Sequence, residues 1–372
     1  MKILFDLLYI KDSNPSGIKK YGFKIVEDFI HYAPQYDIML LIWTSQKSYV
    51  STMTGNRVAL LCVDEDGDYR NNQGNRLLER IRGVIKGFDL IISTCANNPI
   101  CCFSPVIKHV GVIHDMQEIK LEWRRINKIK ALWHFYQVRK KIRKLSGIIA
   151  ISNSTKNDIK KMIGRRSHVI YYALEPACSI WEMPKHFPYK EGTPFILDVN
   201  TFYRYKNADI LINAFSKLTN KYPNLKLYFK GSKCEDFSRL PRLVKSLNLD
   251  NKVYFDECPL SDSELCWLYK NASLFVSPSK MEGFGATPIE AIIHECQTVV
   301  SNIQTFKEVI PDDCVDFFDP NNVEDLVSVL TQCLIKPISS EEKIRRSNMM
   351  LNLYSRKTQV ANYIKYIQDL EI

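Results

Sequence analysis

One stretch, residues 272–300, places a strand, a glycine-bearing loop and a helix in direct succession, and it limits the fold more than any other part of the chain. Residues 272–276 are short, apolar and β-prone, as a buried parallel strand requires. Gly283 and Gly285 then interrupt regular structure and allow the backbone to approach a ligand closely. Residues 287–290 have the pattern of a helix start, with threonine as N-cap, proline at the first helical position and glutamate at the third. The stretch predicts one strand–loop–helix unit of an α/β sheet.

The start of this helix predicts an anion-binding site. The N–H groups of Ala286 and Thr287 have no partner within the helix, and the helix dipole adds roughly half a positive charge there. Glu282 and Glu290 flank the loop. A nucleoside diphosphate sugar suits both features, because its diphosphate accepts from the amides while its hydroxyls donate to the carboxylates. The alternative is that Glu290 only completes a capping box and Glu282 is a solvated loop residue.

The pattern Glu-Gly-Phe-Gly at residues 282–285, followed by Glu290, resembles the E-x7-E signature of the retaining glycosyltransferases of family 4. The resemblance implies an α/β fold of the GT-B class, in which two Rossmann-like parallel-sheet domains face a central cleft and a C-terminal helix crosses back to the first domain. It also implies that Glu282 is a catalytic residue that orients the sugar and that Glu290 holds the ribose of the donor. The donor-binding loop implied by the same motif consists of Gly283, Phe284, Gly285, Ala286 and Thr287.

The length of 372 residues suffices for two domains that each bury a core. A composition with 45% hydrophobic and 25% charged residues is typical of a soluble globular protein. The resemblance covers nearly the whole chain and implies a first domain at residues 1–180, a sugar-nucleotide domain at 193–354 and a returning helix at 355–372. Clustered prolines and a glycine favour a linker between the two domains, at residues 181–192.

The chain carries no sequence sign of secretion or of a membrane span. Its first ten residues have one lysine, a short apolar run and no small-residue cleavage site, which predicts a first strand rather than a signal peptide. No apolar run approaches the ~18–20 residues that cross a bilayer. Eleven cysteines are scattered without C-x-x-C or metal-ligand spacing, and no DxD-type metal motif is evident. These features predict a cytoplasmic protein that needs no metal or other cofactor.

The net charge of +10 is concentrated in one segment. Between Glu118 and Arg166 there are fifteen Lys and Arg residues against three Asp and Glu residues, a local net charge of +12. Large apolar side chains recur there at approximately helical spacing, at Trp123, Ile126, Ile129, Trp133, Tyr136 and Ile142. Three interpretations remain open: a core helix with a solvated charged face, a patch held to anionic lipid, or a nucleic-acid surface, although no recognised nucleic-acid module is present.

Strands alternate with helices in the first half of the chain, which predicts a parallel sheet with ligands at the carboxyl ends of its strands. His114 and Asp115 follow one predicted strand, and Gly17 follows another. The resemblance implies that His114 and Asp115 are catalytic residues in the cleft and that Gly17 contacts the donor phosphates. From the local pattern alone, the alternatives are a core histidine and a turn glycine. A third loop begins at Ser152, which we interpret as the N-cap of a helix.

In the second half, residues 200–207 resemble the family motif Gly-x-x-x-x-Arg-Lys-Asn. Lys206 and Asn207 match this motif, whereas Asn200 stands at the glycine and Arg204 lies one place before the position of the arginine. The resemblance implies that Lys206 neutralises the leaving diphosphate, with Arg204 beside it. The other donor contacts carried over from the family are Lys230 and Leu260.

The implied activity is that of a metal-independent retaining hexosyltransferase. It would move a hexose, such as mannose, glucose or galactose, from a nucleoside diphosphate sugar to a saccharide or polyprenyl-linked acceptor in polysaccharide or lipopolysaccharide assembly. The expected location is the cytoplasm, with peripheral contact at the inner face of the membrane through the basic segment 118–166 and no nucleic-acid partner. Two alternatives remain: a GT-B epimerase that releases a new sugar nucleotide, and a basic membrane- or nucleic-acid-binding module without transferase activity.

Overall fold

A computed structural model describes residues 1–10, 17–64, 83–96, 107–117, 120, 128–176, 180–234 and 236–370. The chain divides into two compact units, which are Met1–Tyr172 together with Arg356–Ile372, and Ala173–Ser355. The end of the chain therefore belongs to the first unit, as the family resemblance implies.

The first unit contains a seven-stranded sheet in which every strand pairing is parallel. Its strands are β1 (Lys2–Asp6), β2 (Asp37–Trp43), β3 (Ala59–Val63), β4 (Leu90–Ser93), β5 (Lys108–Ile113), β6 (Gly147–Ala150) and β7 (His168–Val169). Their order across the sheet is β3-β2-β1-β4-β5-β6-β7. The helices of this unit are α1 (Gly17–Tyr32), α2 (Lys47–Thr54), α3 (Lys128–Ile142), α4 (Asn153–Ile163) and, at the end of the chain, α12 (Arg356–Asp369).

The second unit repeats this plan with six parallel strands. They are β8 (Phe195–Val199), β9 (Lys226–Lys230), β10 (Val253–Asp256), β11 (Leu274–Ser277), β12 (Thr298–Ser301) and β13 (Asp316–Phe318), in the order β10-β9-β8-β11-β12-β13. The helices are α5 (Ala208–Leu218), α6 (Arg239–Ser246), α7 (Asp262–Asn271), α8 (Ala286–Ile293), α9 (Gln304–Val309), α10 (Val323–Ile335) and α11 (Ser340–Leu353).

The central strands are apolar because helices cover both faces of each sheet. All four residues of β4 and all four of β11 are buried, so these strands read as continuous hydrophobic runs rather than as alternating ones. The predicted fold class, two Rossmann-like parallel-sheet domains, is confirmed by this arrangement.

Each sheet changes its strand order at one point. In the second unit β8 pairs with β9 on one side and with β11 on the other, so the connections leaving β8 and β11 diverge. The crevice beside the carboxyl ends of two such strands is where open α/β sheets bind their ligands. We call the ends of β8 and β11, with the loops at residues 200–207 and 278–285, the switch-point edge. The sequence stretch that resembles the family motif therefore lies where the topology places a ligand.

Residues 181–192, the predicted linker, pack as part of the second unit. The ring of Phe187 lies 5.4 Å from that of Phe195, 5.5 Å from Tyr228 and 5.0 Å from Trp267, measured between ring centres. The prolines and glycine of this segment resemble those of a linker, but its aromatic residues bury apolar area against the sheet and fix it there.

Helix α12 packs in the first unit through its tyrosines. Tyr363 is fully buried, and the hydroxyl of Tyr366 accepts a hydrogen bond from the backbone N–H of Ile148 at 3.0 Å. Arg356, at the start of the helix, forms an ion pair with the buried carboxylate of Asp28 in α1. Among the helices that the structure describes, none is both long enough and apolar enough to cross a bilayer.

Candidate functional site

A partly buried ion pair joins the two loops of the switch-point edge. The ammonium nitrogen of Lys206 lies 2.7 Å from Oε1 of Glu282, and the side chains are only 18% and 10% exposed. The backbone N–H of Lys280 also donates to the carbonyl oxygen of Tyr205 at 2.7 Å, which fixes the spacing of the loops. The pair is electrically neutral as a whole, and its lysine is the cation that sequence analysis assigned to the donor diphosphate.

Arg204 has a different environment from its neighbour Lys206. Its side chain is 69% exposed, and Nε donates to Oδ2 of Asp236 at 2.7 Å. Tyr205, which stands at the family's arginine position, stacks its ring on that of Tyr203, with the ring centres 5.6 Å apart. Arg204 therefore lies on the surface beside a carboxylate, and its contact with a donor stays a prediction.

The glycine loop requires glycine at one position in particular. Gly285 has φ +83°, and a Cβ atom there would lie 2.4 Å from Cε1 of Phe306. The preceding Phe284 is buried and contacts the ring of Tyr354 edge to face, with the ring centres 5.3 Å apart. Thr305 donates from its hydroxyl to the carbonyl oxygen of Glu282 at 3.0 Å. The loop is thus held from both sides before the helix begins.

The predicted helix start at residues 287–290 is wrong. Helix α8 begins at Ala286, its N-cap is Gly285 in the left-handed conformation, and no side chain caps it. Thr287 and Pro288 are accordingly the second and third helical residues, and Glu290 lies on the second turn instead of closing a capping box. The first-turn amides of Ala286 and Thr287 remain at the helix N-terminus, and the carboxylate of Glu290 has no role in capping it.

Glu290 is held by a buried tyrosine that sequence analysis did not identify. The hydroxyl of Tyr269 donates to Oε2 of Glu290 at 3.0 Å, and Tyr269 itself is only 1% exposed. The Tyr269 ring stacks on His294 with 5.4 Å between ring centres, and Nδ1 of His294 donates to the backbone carbonyl oxygen of Glu290 at 2.7 Å. One carboxylate oxygen of Glu290 is thereby fixed in position.

We expect Tyr269→Phe to weaken nucleoside diphosphate binding roughly fivefold, because a hydrogen bond that orients Glu290, worth about 1 kcal/mol, is lost. Isothermal titration calorimetry of the variant in the wild-type and Glu290→Ala backgrounds measures this coupling. The loss should vanish once Glu290 is removed, and an equal loss in both backgrounds would show that Tyr269 acts otherwise. Tyr228→Phe is the matched control, since its hydroxyl donates to Asp256, at the end of the neighbouring strand β10.

Asp198, in strand β8, is a second residue that sequence analysis did not single out. It is 1% exposed; Oδ1 accepts a hydrogen bond from Nδ2 of Asn200 at 2.5 Å, and Oδ2 is buried without a hydrogen-bond partner. Burial raises the pKa of the carboxyl from 3.8 to about 7; the hydrogen bond from Asn200 and the charge of Lys206 lower it, and the charge of Glu282 raises it. A carboxylate as the single charge in an otherwise apolar strand was the sequence signal that could have found it.

The ionisation of Asp198 should make the stability of the protein depend on pH. A group whose pKa is raised on folding stabilises the folded state at low pH, and that stability is lost between pH 3.8 and about 7. Asp198→Asn removes the dependence while still accepting from Asn200. The difference in unfolding midpoint between the variant and the wild type should therefore widen from pH 4 to about 7 in thermal unfolding, and level off above that. A difference in unfolding midpoint that stays constant over this pH range would show that Asp198 does not ionise with a raised pKa.

Lys230 and Leu260 lie towards the β9 and β10 side of the same sheet. The ammonium group of Lys230 donates to the carbonyl oxygens of Asp256, at 3.3 Å, and Cys258, so it ties the ends of β9 and β10 together. Leu260 is half-buried against an aromatic cluster that includes Trp267. The structure gives both residues a packing role, and their contact with a donor stays a prediction.

His114 is a buried histidine in the first unit. Its Nε2 donates to the carbonyl oxygen of Thr94 at 2.7 Å, so Nδ1 is the acceptor of the hydrogen bond from the Tyr172 hydroxyl. Burial lowers the pKa of His114 to about 4, so the ring is neutral at pH 7. Both ring nitrogens thus form hydrogen bonds within the first unit. The contact of His114 with a sugar stays a prediction.

The other predicted residues of the first unit are less constrained. Asp115 accepts from the backbone N–H of Gln117 at 3.0 Å, which places it at a turn after β5. Gly17 is the exposed first residue of α1, with nothing within 4 Å of the place where a Cβ would stand, and residues 11–16 before it lie outside the described residues. Ser152 caps α4 as predicted, accepting from the N–H of Thr155. The roles of Asp115 and Gly17 stay predictions.

Comparison with known proteins points to the second unit. A family model described as "Glycosyl transferases group 1" matches residues 179–349. The serotype-specific mannosyltransferase WbdA of Escherichia coli is 32% identical over 182 residues, which make up 48% of this chain and 21% of WbdA. The chain thus aligns with about a fifth of the length of that relative.

Solved structures resemble the chain over nearly its whole length. Sucrose-phosphate synthase from Thermosynechococcus elongatus has a TM-score of 0.75 at 13% identity, with 99% of each chain covered. The Anabaena protein HepE, crystallised with UDP and glucose, has a TM-score of 0.73 at 16% identity, covering 98% of this chain and all of that one. At such identities the likeness concerns the fold, and it agrees with the fold class predicted from the sequence.

Proposed function

We propose that the chain is a retaining glycosyltransferase, because residues 179–349 match the family model described as "Glycosyl transferases group 1". It takes a hexose from a nucleoside diphosphate sugar and transfers it to a saccharide or lipid-linked saccharide acceptor. This proposal extends the family assignment to the reaction, the donor class and the acceptor class.

The observation that carries the proposal is the Lys206–Glu282 pair at the switch-point edge. A departing diphosphate develops negative charge, which the partly buried Lys206 and the N-terminus of α8 stabilise more strongly than water does. Glu282 keeps Lys206 in place before the donor arrives. The same carboxylate, at the mouth of the glycine loop, accepts from hydroxyls of the donor sugar and is opposite in charge to a developing oxocarbenium ion.

The proposed reaction needs no covalent nucleophile from the protein. The bond between the anomeric carbon and the phosphate oxygen breaks, the acceptor oxygen bonds to the same face of that carbon, and the acceptor proton passes to the leaving phosphate. Lys206 and the amides of Ala286 and Thr287 hold the diphosphate. Glu290, oriented by Tyr269, accepts from the ribose hydroxyls. The proposal includes no metal ion, since these groups supply the charge compensation.

Mannose is the first sugar to test, because WbdA is a serotype-specific mannosyltransferase. A UDP-sugar is the second donor class, because HepE was crystallised with UDP and glucose. We propose a saccharide of a cell-surface polysaccharide, free or polyprenyl-linked, as the acceptor class. The cytoplasmic side of a membrane is where such acceptors meet sugar nucleotides.

Donor hydrolysis followed by proton NMR tests the reaction without knowledge of the acceptor. The full chain is incubated with GDP-mannose, UDP-glucose or UDP-galactose, and the anomer of the first hexose released is recorded before it equilibrates. We expect one donor to be hydrolysed with retention, and hydrolysis to be lost in Lys206→Met. Release of the inverted anomer would refute retention, and release of a different sugar nucleotide would favour an epimerase. The absence of hydrolysis with every donor would contradict the transferase assignment.

A further inference from the structure

The outer face of helix α3 exposes three large apolar side chains in a row. Leu132 is 54% exposed, Trp133 65% and Tyr136 59%. We call these three residues the α3 outer face. Val138 and Ile142, on the inward side of the same helix, are buried in the core of the first unit. Trp133 and Tyr136 therefore do not contribute to the core, although their helical spacing in the sequence suggested that they could.

Helices α3 and α4 carry many more cations than carboxylates, and Asp158 is the one acidic residue in these two helices. Residues 128–144 contain seven Lys and Arg residues and no Asp or Glu. Of these, Lys140, Arg143 and Lys144 are exposed, at the C-terminal end of α3. Lys160 and Lys161 of α4 are exposed as well. A helix that combines exposed tryptophan, tyrosine and leucine with unopposed cations has the chemistry of the interface of a bilayer whose lipids are anionic.

Other occupants fit this face less well. A solvated surface helix gains nothing from three adjacent exposed apolar residues of this size. A nucleic acid would use the cations and stack on the aromatic rings, but it offers Leu132 no apolar partner. An anionic bilayer uses all three classes of side chain at once, because lipid phosphates pair with the cations while the rings and the leucine enter the headgroup region.

We propose that the α3 outer face docks this protein on an anionic bilayer. Trp133, Tyr136 and Leu132 enter the headgroup level, and the cations of α3 and α4 contact lipid phosphates. This docking rests on the proposed function, because it would bring the enzyme to a lipid-linked acceptor. The α3 outer face belongs to the first unit, whereas the Lys206–Glu282 pair lies in the second, so the two can be tested separately.

Vesicle sedimentation of the full chain tests the proposal. Vesicles of phosphatidylcholine alone are compared with vesicles of phosphatidylcholine mixed with phosphatidylglycerol, for the wild type and for Trp133→Ser/Tyr136→Ser. We expect binding only to the anionic vesicles, and roughly tenfold weaker binding of the double variant. Lys140→Glu/Lys144→Glu should weaken binding at least as much, since each cation contributes roughly fivefold. Trp181→Ser is the matched control, because Trp181 is a tryptophan of the second unit that is 48% exposed, and it should bind like the wild type.

Several outcomes would overturn the docking surface. These are equal binding of the wild type and of Trp133→Ser/Tyr136→Ser, equal binding to neutral and anionic vesicles, or tighter binding to duplex DNA than to anionic vesicles. Calorimetric titration of the wild type and the same variants with the sugar nucleotide that the protein hydrolyses separates this proposal from the proposed function. Loss of vesicle binding with intact nucleotide binding supports the α3 outer face, whereas absent nucleotide binding in the wild type refutes the proposed function alone.

Discussion

Lys206→Met is expected to lower the turnover of the nucleoside diphosphate sugar by about 10²–10³-fold, with a smaller effect on the KM for the donor. The reason is that Lys206 is the partly buried cation at the switch-point edge, where the proposed leaving diphosphate develops charge. Initial rates of nucleoside diphosphate release, measured over a range of donor concentrations, separate kcat from KM. A folded variant whose kcat stays within a few-fold of the wild type would contradict the role of Lys206.

This substitution also leaves the partly buried carboxylate of Glu282 without its partner, which costs at most about 3 kcal/mol of stability. Lys206→Met/Glu282→Gln removes both charges and should recover most of the unfolding midpoint without recovering turnover. Lys217→Met is the control, because Lys217 pairs with Glu324 on the surface, with side-chain exposures of 49% and 70%. It should change neither turnover nor stability measurably.

Gly231→Ala is expected to destabilise the second unit by at least about 3 kcal/mol, which corresponds to a fall of roughly 10 °C in its unfolding midpoint. A Cβ atom at this position would lie 1.6 Å from the backbone oxygen of Asn200. The two segments are held at this distance by a hydrogen bond from the N–H of Asn200 to the carbonyl oxygen of Lys230 at 2.9 Å, and by one from Phe202 to Ser232 at 3.1 Å. Relief of the clash must therefore displace the loop that carries Lys206.

Thermal unfolding and nucleotide titration of the same sample measure both consequences, and nucleotide affinity should fall together with the midpoint. Gly87→Ala is the matched control. Its added Cβ would come no closer than 3.5 Å to the carbonyl oxygen of Val84, an ordinary contact, and the variant should behave like the wild type. An unchanged midpoint and affinity in Gly231→Ala would show that the close approach of the two segments is not maintained in solution.

The alternation of strands and helices predicted the parallel sheet of the first unit, whereas the family resemblance implied the second sheet and the location of the site. The resemblance placed the loops that contain Lys206 and Glu282 at one donor site, which agrees with the rule that ligands bind beside the carboxyl ends of parallel strands. Their direct ion pair could not be predicted, since 76 residues separate them and only tertiary packing sets their distance.

Local helix rules failed at the centre of the predicted site. Residues 287–290 match a capping box in composition, yet Gly285 adopts φ +83° and starts α8 earlier in the chain. The third helical residue is Pro288, whose missing N–H leaves no unpaired donor at that position. A glycine that accepts a left-handed conformation thus replaced the threonine that was expected to act as N-cap.

Tyr269 and Asp198 show what sequence patterns leave out. Tyr269 lies in α7 within a run of apolar residues, where a buried tyrosine is ordinary, and only its distance of 3.0 Å to Glu290 marks it. Asp198 stands out in the sequence as the single charge of an apolar strand, but its complete burial beside an ion pair depends on neighbours from other segments. The spacing of Trp133 and Tyr136 left core, lipid and nucleic-acid interpretations open, because periodicity defines a face of a helix but not what covers it.

The central claim is that the switch-point edge of the second unit binds a nucleoside diphosphate sugar. The most direct measurement is calorimetric titration of the wild type, Lys206→Met and Glu290→Ala with UDP-, GDP- and ADP-hexoses. We predict that one nucleotide class binds the wild type and that its affinity falls at least about tenfold in each variant. Failure of every class to bind the folded wild type, or binding that neither substitution weakens, would contradict the claim.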